Sequence, residues 1–193
     1  MKKLLLSKTL CFALMTVSLS SWSQATEPPV QQWNELLLEA IRNDLARPNV
    51  HARNLHHFST GQYALQLLTE GQDGSSADGN VTWPSIPESI GTWTANTDEY
   101  RDMMATYAYR FIALRYAAAP GWSETLAALN AAFVSTTGTT PNVLLNGSAA
   151  AAFGFDIANA INEAYLNDGA NQINDYANTC YVPANDPLDV TEE

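Results

Sequence analysis

The stretch Val30-Gln31-Gln32-Trp33-Asn34-Glu35-Leu36-Leu37-Leu38-Glu39-Ala40-Ile41-Arg42-Asn43-Asp44-Leu45-Ala46 decides the fold. Trp33, Leu36, Leu37, Ala40, Ile41 and Leu45 recur three or four positions apart, while Glu35, Glu39, Arg42 and Asp44 take the opposite face. This is helical spacing with one side made for burial. Pro28 and Pro29 precede the segment and Pro48 closes it, so both ends carry residues that cannot continue a helix.

The same period continues along the chain. A second helix is predicted from just past Pro48 to about Glu70, with Gly71 as its stop and Leu55, Phe58, Tyr63, Leu65, Leu67 and Leu68 as its apolar positions, interrupted by Gly61. Residues 71–97 shift to Gly, Ser, Asp, Asn, Thr and Pro, with Trp83, Ile86, Ile90 and Trp93 interspersed. That composition reads as a long loop, either pinned to the surface by its two tryptophans or gating a ligand. Asp98 is the expected cap of a third helix over Glu99 to Ala119, whose stripe runs Met103, Met104, Tyr107, Phe111, Leu114, Arg115. Pro120-Gly121 ends it. Ser123 is the expected cap of a fourth, with Leu126, Leu129, Ala132 and Phe133 on one side and Gly138 near its end. Thr139 to Asn142 read as loop. An alanine-rich fifth helix is expected from Ser148 to about Tyr165, and a short sixth around Ala170 to Ala177. No alternating strand pattern and no repeat is visible. The expected fold is all-α, an irregular bundle of five to six helices with a long Trp-containing loop.

Charge and leader narrow the function. Lys2, Lys3 and Lys8 flank Leu4-Leu5-Leu6, an apolar run follows from Thr9 through Ser20, and Ser23-Gln24-Ala25 is a small-x-small cleavage site. Residues 1–25 therefore read as a signal peptide cut after Ala25, leaving 26–193 as one helical domain, secreted or periplasmic. No lysine occurs after Lys8. Taking the three lysines from nine basic residues leaves six arginines against 20 acids, a formal charge of −14. Nucleic acid and anionic lipid need a concentrated basic face and are not expected as partners. No later stretch is long and apolar enough for membrane insertion. Cys11 leaves with the leader, so Cys180 stands alone, expected buried beside Tyr176, Tyr181 and Val182.

Three close histidines, His51, His56 and His57, invite a metal reading. On a helix, however, His51 lies about 140° from His56 and about 240° from His57, so they do not converge, and no metal site is expected. There is no Gly-x-Ser-x-Gly elbow and no phosphate-cradling Gly-rich loop. Asp168-Gly169-Ala170-Asn171 superficially looks like a calcium loop, but its oxygens do not alternate as such a site requires, and a helix-ending turn is the simpler reading. Paired carboxylates stay open, because 20 acids offer many pairs. One polar cluster does stand out. His51, Arg53, Asn54 and His57 sit on successive turns of a helix that also carries apolar bulk. They form either a half-buried network, with Arg53 paired to an acid on a neighbouring element, or a contact to substrate or an oxyanion.

The run Trp33-Asn34-Glu35-Leu36 through Ala40-Ile41-Arg42, followed by Arg47-Pro48-Asn49-Val50-His51-Ala52-Arg53-Asn54-Leu55-His56-His57, resembles the amino-terminal helical region of bacterial secreted proteins related to vanadium-dependent haloperoxidases. That group shares its core with the type 2 phosphatidic acid phosphatases. Asp168-Gly169-Ala170-Asn171, Asp175-Tyr176-Ala177-Asn178 and Tyr181 to Leu188 resemble the segment preceding the group's catalytic half. Gln62-Tyr63-Ala64-Leu65-Gln66 departs from the group, which continues with Met-Tyr-Asp-Ala-Trp. The resemblance implies vanadate or phosphate as the group's cofactor, held by a Lys, several Arg and a Ser-Gly-His segment. None of those maps here, and Arg47-Pro48 lies at the wrong end of the chain. The implied function is a haloperoxidase-like helical domain without its oxyanion half, not catalytic alone and without a cofactor of its own. Its partner would be a separately encoded catalytic bundle or a second copy. The alternative is a helical module that binds a ligand or protein through the Trp83 to Trp93 loop.

Overall fold

The computed structural model describes residues 29–44, 47–70 and 91–177. The leader with its cleavage site after Ala25, most of the long loop including Trp83, and the tail with Cys180 lie outside the described residues.

The chain is all-α, with six helices among the described residues. They are α1 (Pro29–Arg42), α2 (Pro48–Thr69), α3 (Thr97–Tyr116), α4 (Trp122–Thr137), α5 (Pro141–Gly147) and α6 (Ala149–Ala164), followed by a 3-10 turn at Gln172–Asn174. No described helix is long and apolar enough to cross a membrane. The central element is α3, which packs against all five other helices and most extensively against α6. Its position follows from its sequence, because the six consecutive residues from Met103 to Ala108 are all buried and burial therefore reaches around the helix. Trp33, Leu37 and Ala40 of α1, Phe58 and Leu65 of α2, Leu129 and Phe133 of α4, and Ile157 and Ile161 of α6 complete one continuous core.

Two glycines set how closely the helices approach. A Cβ at Gly154 would collide with the Met103 carbonyl, so α6 presses its backbone directly onto α3. Ala150, Ala151 and Ala158 keep the rest of that seam thin. A Cβ at Gly61 would strike the Tyr107 ring, whose hydroxyl donates 2.8 Å to the Phe58 carbonyl. The glycine that interrupts the apolar pattern of α2 thus makes room for a buried tyrosine. That hydroxyl is held well above its ordinary pKa by burial.

Several local expectations are corrected. The cap of α3 is Asn96, whose side chain accepts from the Asp98 and Glu99 amides while Glu99 accepts from the Asn96 amide; Asp98 lies inside the first turn. Gly121 stands at the N-cap of α4, and Ser123 turns its hydroxyl to Glu124 instead. Thr139 to Asn142 is only partly loop, since α5 begins at Pro141. The expected sixth helix at Ala170 to Ala177 is reduced to the 3-10 turn. Ser148, read from the sequence as the first residue of a helix, is the N-cap of α6, accepting from the Ala151 amide. Gly138 ends α4 in the left-handed conformation at φ 74°.

Candidate functional site

The polar residues of α2 meet the turn that follows α6. Arg53 spends its whole guanidinium there: Nε donates to Asp168 Oδ2 at 2.7 Å, Nη1 to Gln172 Oε1 at 2.9 Å and Nη2 to the Tyr165 carbonyl at 2.8 Å. Its side chain is 12% exposed. Arg115, from the last turn of α3, donates to the same Gln172 oxygen and approaches His57 Nδ1 at 3.3 Å. Two arginines therefore converge on one neutral amide, with one carboxylate beside them.

His57 lies at the centre, 3% exposed and stacked on Tyr165 at 3.5 Å between ring centroids. A guanidinium only donates, so Nδ1 accepts from Arg115 and the ring proton sits on Nε2. Nε2 faces Asp168 Oδ2 at 3.8 Å, too far for a hydrogen bond. Burial first, then the charges of Arg53 and Arg115, push the imidazole down to about 3 against the pull of Asp168. His57 is neutral at any ordinary pH. The Arg115 guanidinium is lowered by burial and by Arg53. Burial alone would raise Asp168; the hydrogen bonds from Arg53 and the Ala170 amide, with the charge of Arg53, outweigh it and leave the carboxyl below its usual value.

The other predicted residues divide by depth. Asn54 is buried and donates to the Tyr116 hydroxyl at 3.1 Å, and that phenol is pushed up to about 12 chiefly by burial. His51 is buried and stacked on Tyr116 with ring centroids 6.4 Å apart. His56 is exposed and touches the edge of Tyr165. His56 and His57 thus share Tyr165, with their rings 5.7 Å apart, while His51 lies apart on Tyr116, and no group of His, Cys, Asp and Glu among the described residues could hold a metal. Sequence reasoning missed Arg115, Asp168, Gln172 and Tyr165 as members of this cluster. The legible signal was Arg115 itself, an arginine falling in the apolar stripe of α3, where a buried charge needs a partner.

The turn after α6 is shaped to deliver these groups. Asp168 Oδ1 accepts from the Ala170 amide across Gly169, whose φ is 88°. Asn171, Asp175 and Tyr176 also adopt left-handed backbone, at φ 56°, 53° and 61°. The first two tolerate it, but a tyrosine does so only when its surroundings impose it. The Asn171 side chain imposes much of it, donating to the Ala177 carbonyl at 2.8 Å and accepting from Asn174 at 2.7 Å. Arg47 then clasps Asp175 with contacts of 2.6 and 3.4 Å. Between α2 and this turn lies an open cleft of about 530 Å³, lined by Arg47, Pro48, Val50, Arg53, Asp175 and Tyr176 among others.

Trp93, at the described end of the long loop, packs on Phe153 at 5.8 Å and donates its amide to the Leu68 carbonyl at 3.0 Å. It acts as an anchor. No family model, curated protein or solved structure matches the chain.

Proposed function

We propose that this chain is a non-catalytic, exported helical module with a closed core, which binds a ligand or partner through its surface. The observation that carries this reading is that the two guanidinium groups of the polar cluster, Arg53 and Arg115, are turned onto the protein's own groups. Arg53 has all three nitrogens engaged, and Arg115 directs Nη1 to Gln172 and Nη2 to His57, with its Nε buried beside them. An oxyanion cage needs several cations and donors left open and aimed at one point, and these are aimed at protein groups.

The distribution of apolar surface supports the same reading. The exposed large apolar residues among those described, Leu55, Tyr63, Val134, Val143 and Ile173, are few and belong to four different elements, α2, α4, α5 and the final turn. Half of a larger bundle would leave a contiguous apolar face instead. Trp93 serves as an anchor, so the ligand surface is better sought at the cleft beside α2 than at the described end of the loop.

A second reading keeps the resemblance to the haloperoxidase group, and one observation favours it. The two stretches that carry the resemblance, distant in sequence, meet as one unit through Arg47 with Asp175 and Arg53 with Asp168. In that reading the domain docks beside a catalytic bundle supplied by another chain or a second copy. Size-exclusion chromatography with a hydrophobic dye separates the two. The module elutes as a monomer without dye fluorescence; a self-associating, dye-binding species supports the half-bundle.

A further inference from the structure

We propose that the cleft between the start of α2 and the 170–177 turn is a binding site for a small carboxylate carrying an apolar or aromatic body, and that Asp175 occupies its anion position in the free protein. The inference rests on the binding-module reading and names its ligand class. Four observations place it here. Arg47, half-buried at the rim, offers the one cation of the cleft whose partner is a solvent-exposed side chain: Asp175 is 78% exposed. An ion pair so open to water is weakly held and exchangeable, whereas Arg53 behind it is locked by three hydrogen bonds.

The wall next to Arg47 is the beginning of α2, where no side chain caps the helix. The first amides after Pro48 project outward there and favour negative charge. Of the remaining walls only Asn49 is polar; Pro48, Val50, Ala170 and the Tyr176 ring suit a hydrocarbon or aromatic group rather than a bare inorganic ion. Finally, Asp175 and Tyr176 hold left-handed backbone on the turn that carries the clasp. An incoming carboxylate takes the Arg47 guanidinium and the turn is released from one of its ties, while Arg53 keeps the turn docked through Asp168 and Gln172. No bond is made or broken; one carboxylate replaces another.

The test uses the full chain, with phenylacetate as probe and phenylacetamide as its neutral counterpart, followed by amide chemical shifts or calorimetry. Expected are saturable binding of phenylacetate, none of phenylacetamide, and shifts centred on Asn49, Val50 and Tyr176. Arg47→Ala weakens binding about ten-fold or more, the size of a lost charge-assisted hydrogen bond. Asp175→Asn tightens binding by a few-fold, because it removes the internal competitor and its charge. This gain cannot be produced by a damaged fold, and unchanged thermal unfolding of both variants checks the point. Equal binding of amide and carboxylate, an Arg47→Ala variant that binds as the parent does, or an Asp175→Asn variant that binds no better overturns the proposal. Failure of phenylacetate to bind a monomeric, dye-silent chain sinks the ligand class while leaving the module reading intact; self-association sinks that reading itself.

Discussion

Two of the seams in this bundle are built on opposite principles. Between α3 and α6 the contact is backbone against backbone, permitted by Gly154 and lined by Ala150, Ala151, Ala158, Met103 and Met104. Between α2, the end of α3 and the turn after α6, the contact is made by Arg53, His57, Arg115, Asp168 and Gln172. The first seam works by shape and apolar burial, which carry no dependence on pH. The second works by placing charges where water is scarce, so its strength follows protonation and the completeness of its partners. A stable centre thus supports an electrostatically tuned edge, and the cleft opens at that edge.

The sharpest way to break the first seam is Gly154→Val. Its side chain has to enter space held by the Met103 carbonyl, and backbone on the central helix cannot yield as a flexible side chain can. The expected loss exceeds about 4 kcal/mol, beyond the usual range for single substitutions. Denaturant unfolding with circular dichroism measures it, and a variant of parental stability would show that the two helices do not touch as described.

A smaller effect sharpens the contrast with the second seam. His57 is held neutral down to about pH 3, whereas an unfolded chain protonates it near 6.5. Between those values the unfolded state binds the extra proton, so the contribution is complete above pH 6.5 and falls away as pH drops toward 3. Asp168, lowered in the folded state, adds a loss of the same sign at still lower pH. Acidification from pH 7 to 4 is expected to cost on the order of 3 kcal/mol. His57→Phe retains a ring against Tyr165 and removes the titrating group, so its stability curve is flatter over this window. Parallel curves for parent and variant would place the acid sensitivity elsewhere.

How far the sequence disclosed each seam follows from the same difference. Apolar periodicity marked α1, α2, α3, α4 and α6, because each buries a face and a buried face repeats every three to four residues. It missed α5, where none of the seven residues is buried and no face repeats. It placed the cap of α3 at Asp98, because Asp and Asn are equivalent caps by type and only the reciprocal bond with Glu99 singles out Asn96. For the polar seam, His51, Arg53, Asn54 and His57 were legible as a cluster from one helix. Their partners were not, since Asp168 lies 115 residues and Gln172 119 residues from Arg53. Pairing over such separations is set by how the helices pack, and no local pattern encodes it. His51 shows the converse: close in sequence to His56 and His57, it packs on Tyr116 while they share Tyr165, because a helix turns about 100° per residue.

Arg53 and Arg115 serve the protein's own Asp168, Gln172 and His57 and leave no cage for an oxyanion. Vanadate titration of the purified chain, followed by vanadium NMR and calorimetry, tests this directly. No tight, saturable vanadate binding and no peroxide-dependent halide oxidation are expected. Tight binding that disappears in an Arg53→Leu variant would contradict this assignment.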